Sequence, residues 1–311
     1  LKTQGGSVTT KYVMDANSEI DRFKPIFKYY KSKIPSPKMD KVIDILKGHE
    51  VLEELQSFCR LYDHLYLKDS KDWKLFKLAN GIHIIANPFK NEGISYWTLR
   101  CLKDFSASRN NLKNETIWWN QVQTDSKVTD KLRWATLGFH HDWDTKVYTE
   151  QGDFPADLAE LSKSILSEIP GLSSDTYKSE AAIINYYPMD STLSGHVDFS
   201  EPNKSAPLIS ISFGQSAIFL IGGPNKNIEP SAIFLRNGDV LVMSHEARQS
   251  YHAVPKILKT ENIDNLQSDQ SDFVQKYLAN HRINMNVHRH NRNRNRNRNH
   301  HPPTPPHPTP T

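Results

Sequence analysis

From residue 181 to residue 288 the chain divides into eight short apolar-rich stretches separated by Gly, Pro, Asn and Asp, and this punctuation restricts its fold more than any other feature. The stretches are residues 181–187, 195–198, 208–213, 217–221, 232–235, 240–243, 251–254 and 282–288. Each has the length of a strand, and their turn-rich spacing predicts two packed sheets of a jelly roll. A polar insertion at 260–280 ends in a short helix-like piece before the last strand.

Upstream the texture is mixed. Ser18 is placed to cap a helix in which Phe23, Ile26, Phe27 and Tyr30 recur at helical spacing, with Pro25 tolerable in the early turns. Residues 40–59 carry a second helical pattern broken near Gly48, and Asn80-Gly81 predicts a hairpin with a type I′ turn inside 75–85. Leu158, Leu161, Ile165 and Ile169 form one stripe of a helix over 154–169, terminated by Pro170-Gly171.

The 311-residue length accommodates one catalytic domain, and no apolar run approaches a membrane span. Position 1 is leucine, so an initiator or targeting segment is expected to be missing from this sequence. Two cysteines, Cys59 and Cys101, exclude a disulfide framework and a cysteine zinc site, which fits a reducing, intracellular location. The net charge of +4 falls to −1 once Arg289, Arg292, Arg294, Arg296 and Arg298 of the tail are set aside, so no globally basic surface is implied. From Asn291 the tail alternates Asn and Arg and then turns to His, Pro and Thr, a composition expected to be disordered.

Two of the strands carry chemistry. His196 and Asp198 stand two residues apart, and His252 follows 54 residues after Asp198 (252 − 198), a separation suited to ligands on neighbouring strands of a double-stranded β-helix. Two imidazoles and a carboxylate on one face of a metal, with the remaining positions open, are the facial triad of non-haem Fe(II) oxygenases. An oxygenase of that kind using 2-oxoglutarate needs an arginine for the distal carboxylate, aided by a hydroxyl or amide. Arg282 occupies a strand after the second histidine, and Asn185 and Tyr187 share one face of the strand before the first.

These elements, Asn-x-Tyr, His-x-Asp, Tyr-His-Ala-Val-Pro and Arg-x-Asn, occur in the order and spacing of the AlkB-type Fe(II)/2-oxoglutarate dioxygenases, which the chain resembles from about residue 20 to residue 288. The runs 185–197, 212–220 and 132–138, with Phe-Lys-Pro-Ile-Phe-Lys-Tyr-Tyr near the start, resemble the branch of the first animal homologue. The resemblance implies Fe(II) bound by His196, Asp198 and His252, and 2-oxoglutarate bound by Asn185, Tyr187, Arg282 and Asn284, with O2 as the second co-substrate. It further implies a nucleotide-recognition lid in which Phe139, His140, His141 or Trp143 meets an extruded base, the alternative for Trp134 and Trp143 being plain core or loop anchors. His245 is assigned to a surface loop, and Arg248 is either the arginine that the family often places before the second histidine or a surface ion pair. The family's second arginine on the last strand is replaced by His288, with arginine only at 289. Three outcomes are open: His288 takes part of the contact, a bulge turns Arg289 inward, or co-substrate binding is weakened.

The expected fold class is α/β (α+β), with a double-stranded β-helix core preceded by N-terminal helices and the lid. The expected divisions are a helical extension at 1–70, the lid and supporting helices at 71–180, the oxygenase core at 181–288 and the tail at 289–311. The implied reaction is oxidative demethylation of N-methyladenine in tRNA or unpaired DNA, releasing succinate, CO2 and formaldehyde. Oxidation of methylcytosine in tRNA, demethylation of histone or other protein, and a catalytically weak RNA-binding module are the alternatives. A monomer in the nucleus, cytoplasm or mitochondrion, with no membrane partner, is expected from the resemblance.

Overall fold

The computed structural model describes residues 20–49, 52–56, 58, 60–78, 81–112, 126–142, 144, 145, 147–150, 152–172, 174–198, 203–260 and 271–290. Two sheets face one another. The larger runs β1-β2-β3-β12-β9-β14-β7-β5-β4 with β6 paired to β5, and the smaller runs β11-β10-β13-β8. Their strands are β1 Glu53–Leu55, β2 Lys74–Leu78, β3 Ile82–Ala86, β4 Arg109–Asn110, β5 Trp134–His141, β6 Tyr148–Glu150 and β7 Ala181–Pro188. They continue with β8 Leu193–His196, β9 Leu208–Gly214, β10 Ser216–Ile221, β11 Ser231–Leu235, β12 Val240–Met243, β13 His252–Leu258 and β14 His281–His288. All eight strands expected after residue 181 form, and strands from 53–86 and 109–150 extend the same large sheet at its two ends.

Strand alternation explains the layering. In β10, Phe219 and Ile221 point between the sheets toward Ile84, Leu241 and Met243, while Ile218 and Leu220 point outward beneath helix α1, Phe23–Lys31. In β14, Ile283, Met285 and Val287 pack under the helices on the outer face of the large sheet, among them Ala156–Ser167 and Ser271–Leu278. The opposite alternation of β14 is polar and lies between the sheets. Apolar filling at one end of the sandwich and polar lining at the other make the second end the place for chemistry.

Several sequence expectations change. The α1 helix starts at Phe23, where Asp21 Oδ1 accepts the Lys24 N–H at 2.8 Å; Ser18 lies outside the described residues. The 40–59 pattern is not helical among the described residues. Ile43 bridges Ile233 and enters the inter-sheet core with Ile45, Val42 faces the α1 layer, and Asp44 meets Arg236 at 2.7 Å. That alternation has period two, and docking on a sheet edge outweighs the helical spacing. The hairpin of β2 and β3 forms, but the Leu78↔Ile82 pair leaves three residues between the strands, not the two of a type I′ turn. Gly81, with φ +85°, packs against the Ser244 backbone, whereas Asn80 lies outside the described residues. The 154–169 helix is present as Ala156–Ser167. No described helix is long and apolar enough to cross a membrane. The tail from 291 and Cys59 are outside the described residues, and Cys101 is a buried free thiol whose pKa burial raises.

Candidate active site

At the edge of the small sheet β8 and β13 run antiparallel with His196 directly opposite His252, which sets their ring centroids 4.3 Å apart. Each Nδ1 rests on a backbone carbonyl two residues earlier, His196 on Ser194 at 2.9 Å and His252 on Ser250 at 3.1 Å. A carbonyl only accepts, so both Nδ1 atoms donate and both Nε2 lone pairs are left for a third party. Asp198 lies two residues past the end of β8 and reaches back between the rings. Its Oδ1 is 3.7 Å from His196 Nε2 and its Oδ2 3.8 Å from His252 Nε2. The three ligand atoms lie within 4.8 Å of one another, and the described residues contain no other such group.

Two ligand atoms at about 2.1 Å from one ion stand roughly 3 to 3.4 Å apart at octahedral to tetrahedral angles, so the Asp198 carboxylate and the two rings must draw together to close on a metal. Its protonation already suits one. Burial would raise the Asp198 carboxyl, but His252, His196, Arg248 and His288 outweigh it and hold the group below the usual carboxylate range. Burial holds the His252 pKa below the ordinary imidazole value despite the neighbouring Asp198. An anionic carboxylate and imidazoles with free Nε2 atoms are the donor set of the triad.

The polar row of the large sheet faces this cluster. Arg282, Asn284, Asn286 and His288 alternate along one face of β14, with Arg282 opposite Tyr187 and Asn284 opposite Asn185 on β7. Tyr187 packs on Ala217 and Ile257 of the small sheet, which joins the two faces. Arg282 donates through Nη1 to the carbonyls of Gln215 at 2.8 Å and Leu235 at 3.1 Å, and through Nη2 to Ser212 Oγ at 2.6 Å. Its Nε has no hydrogen-bond partner among the described residues, so this buried guanidinium keeps donors that protein does not use. Burial takes the arginine down to about 10 and the Tyr187 phenol up to about 12, so the pair remains a cation beside a neutral hydroxyl at physiological pH. Asn284 is more committed: its amide donates to Ser210 Oγ at 2.8 Å and to the Ile211 carbonyl at 3.3 Å, and its Oδ1 accepts from Asn286 at 2.9 Å.

Arg248 is not a surface residue. It is 2% exposed in the 3₁₀ turn His245–Gln249, with Nε donating to the Ala206 carbonyl at 2.9 Å and Nη1 3.7 Å from Asp198 Oδ2. His245 in the same turn is exposed. Arg289 does not turn inward either. β14 pairs with β7 without a bulge as far as His288↔Ala181, and the Arg289 guanidinium donates to the Thr176 carbonyl at 2.8 Å, which leaves His288 as the inward residue.

Residues 81–288 match the 2OG-Fe(II) oxygenase superfamily. The chain belongs to this family. The mouse protein named nucleic acid dioxygenase ALKBH1 is 33% identical over 290 residues, covering 81% of this chain and 74% of its own length. The fission yeast tRNA demethylase abh1 is 38% identical over 53% of this chain and 55% of its own. The Arabidopsis thaliana DNA N(6)-methyladenine demethylase ALKBH1A is 37% identical over 52% of this chain and 49% of its own. Oxygenases of this family use Fe(II), 2-oxoglutarate and O2, and the His196, Asp198 and His252 cluster has the donor set for the metal.

Of the described rings expected to meet substrate in this oxygenase, Phe139 is half-buried and His140 and His141 are buried. Gly138, at φ +65°, folds β5 back sharply. His140 therefore returns over its own strand, 1% exposed, hydrogen-bonded to Thr136 and stacked on Trp134 at 6.0 Å. His141, 2% exposed, packs on Tyr148 at 4.8 Å, and Tyr148 stands edge-on to His288 at 5.9 Å. Phe139 lies 4.1 Å from His290, ring to ring. Sequence reasoning did not single out Tyr148, which strand pairing brings opposite His141, or His290, whose ring packs on Phe139 and Tyr148 just past β14; Trp143 lies outside the described residues. A Cβ at position 138 would collide with the Glu180 carbonyl, so Gly138→Ala should destabilise the fold by about 3 kcal/mol, read as a lowered denaturation midpoint.

Buried imidazoles also set an acid limit. Burial brings both His83 and His140 down to about 4, well below the roughly 6.5 of an unfolded chain. Between those values the unfolded state binds protons that the folded state does not, so stability is complete above pH 6.5 and falls as pH drops. Each histidine should cost about 2 kcal/mol between pH 6.5 and 5. Urea midpoints measured at pH 7 and pH 5 check this, and equal values would contradict it.

Proposed function

We propose that this oxygenase oxidatively demethylates N-methylated nucleic-acid bases, with N-methyladenine in tRNA or in unpaired DNA as the substrate class. The observation that carries the reading is the His196, Asp198 and His252 cluster facing the unspent donors of Arg282 across the sandwich. The names of the mouse, yeast and plant relatives support nucleic acid as the substrate.

In this reading His196, Asp198 and His252 hold Fe(II), which supplies the oxidising chemistry when O2 and 2-oxoglutarate are present. Arg282 and Tyr187 receive the distal carboxylate of 2-oxoglutarate, and the committed amide of Asn284, opposite Asn185, fixes the floor beneath it. One oxygen atom of O2 ends in succinate as CO2 leaves, and the other converts N–CH3 to N–CH2OH, which releases formaldehyde and restores N–H. The half-buried Phe139 is the ring that this reading places against a base, with His140 and His141 behind it. Extruding a base from a duplex costs several kcal/mol of stacking and pairing, so loops, bulges and single strands are favoured. The nucleus, cytoplasm or mitochondrion, where tRNA and DNA are found, are the compartments that this reading proposes.

Succinate release is measured with Fe(II), 2-oxoglutarate and, in turn, a methyladenine stem-loop, the same base in a full duplex, and a methylated peptide. The stem-loop should stimulate most. Stimulation by the peptide alone, or tight RNA binding without succinate, would overturn the reading.

A further inference from the structure

Three neighbouring strands of the large sheet, β12, β9 and β14, stop or start at one level, and a pocket lies beyond them. β12 stops at Met243 opposite Leu208, where β9 begins, and β14 stops one residue past the Ile209↔Val287 pair. The cavity of about 260 Å³ is lined by Thr176, Tyr177, Asn203, Ser205, His245 and Arg289, among others, and no lining residue is acidic. A water takes about 30 Å³ of liquid, so a phosphate with its ester oxygens fits. Arg289 brings the charge. It is half-buried, the Thr176 carbonyl takes one N–H of its fork at 2.8 Å, Nε has no hydrogen-bond partner, and no described carboxylate pairs with it. Asn203 adds a neutral donor. Its Oδ1 accepts from the Ser205 N–H at 3.1 Å, the Ser205 hydroxyl at 2.9 Å and the Ala206 N–H at 2.9 Å, which leaves its NH2 group unspent.

This pocket shares its walls with the cluster. His245 lines the pocket and opens the 3₁₀ turn His245–Gln249, whose Arg248 lies 3.7 Å from Asp198. Ala206 lines it too, and its carbonyl accepts from Arg248 at 2.9 Å. At the end of β14 consecutive residues divide between the two places: His288 faces inward, and Arg289 lines the pocket. A base drawn between the sheets leaves its phosphates at the rim, because an anionic diester stays in water or against a cation. We propose that the pocket at Arg289 is a backbone-phosphate subsite, holding a phosphate of the nucleic-acid strand whose methylated base enters the cluster. Phosphate contacts fix register and carry no base identity, so this subsite aligns the strand and leaves the choice of base to the site between the sheets. The inference rests on the proposed choice of nucleic acid as substrate, and binding is read apart from turnover so that the two can fail separately.

The experiment follows binding of a methyladenine stem-loop to the Fe(II)-loaded full chain by fluorescence anisotropy, without O2, over a series of chloride concentrations. Arg289→Gln keeps a donor for the Thr176 carbonyl and removes the charge. It should weaken binding about tenfold and reduce the slope of log affinity against log salt by about one. Arg289→Lys keeps the charge and should keep the slope. Exchanging chloride for inorganic phosphate at constant ionic strength should weaken binding to the unmodified chain and to the lysine variant, and less to the glutamine variant. A purely structural role for Arg289 predicts weaker binding with the slope unchanged, and that result would overturn the subsite. So would a glutamine variant that binds like the unmodified chain, or an unmodified chain indifferent to phosphate, a measurement that stands even if the glutamine variant fails to fold. O2 and 2-oxoglutarate are then added. Arg289-dependent binding without succinate release keeps the subsite and removes the proposed reaction, whereas a chain that does not bind the stem-loop loses both.

Discussion

Asp198→Ala is expected to reduce succinate release to background, a loss of well over a hundredfold, which exceeds what changes around a metal ligand ordinarily cost. The carboxylate lies between the Nε2 atoms of His196 and His252 at 3.7 and 3.8 Å, and it is the only anion of the cluster. Without it, two neutral imidazoles face a doubly charged ion, and Fe(II) affinity drops along with turnover. The alanine variant also removes a carboxylate 3.7 Å from the buried Arg248, so some loss of stability accompanies it. Asp198→Asn separates the two effects, because it keeps the volume and loses the charge. Equal inactivity in both variants, with a folded asparagine protein that no longer holds Fe(II), is the expected result. Succinate release above one tenth of the unmodified rate in either would remove Asp198 from the metal site.

The second large effect belongs to Arg282→Met. Three hydrogen bonds disappear, to Gln215, Leu235 and Ser212, at about 1 kcal/mol each, so the sandwich should lose roughly 3 kcal/mol in urea denaturation. Methionine fills much of the volume without leaving a buried charge unpaired. The larger consequence is for the co-substrate. Two charge-assisted contacts to a carboxylate are worth about 3 kcal/mol or more together, so 2-oxoglutarate affinity should fall at least about a hundredfold. Fe(II) binding should persist, since no atom of Arg282 is among the metal donors. Loss of Fe(II) together with 2-oxoglutarate would mean that Arg282 supports the cluster's shape and is no clamp.

Much of the architecture was legible because strand signals are local. The eight stretches from residue 181 onward formed as strands, and Asn185 and Tyr187 share the inward face that period-two spacing requires. The helix Asn91–Leu99, continued by the π-helical turns Arg100–Phe105, carried no comparable signal. Gly93, Ile94, Ser95, Trp97 and Thr98 are all buried, so no polar face marks the period. Residues 40–49 misled in the opposite direction, since Ile43 and Ile45 alternate on a sheet edge within a helix-like string.

The sequence by itself determined the donor types, their order and the number of strands that carry them. Those follow from residue chemistry and from short-range alternation. Only the tertiary structure decided that His196 pairs with His252 across β8 and β13, that Arg248 is buried against Asp198, and that Arg289 faces Thr176 while His288 faces inward. It also decided that His140, beyond Gly138, is buried on its own strand, while Phe139 is half-buried. Register between strands far apart in the chain is set by how whole faces fit together, and a one-residue slip would exchange every inward side chain for an outward one.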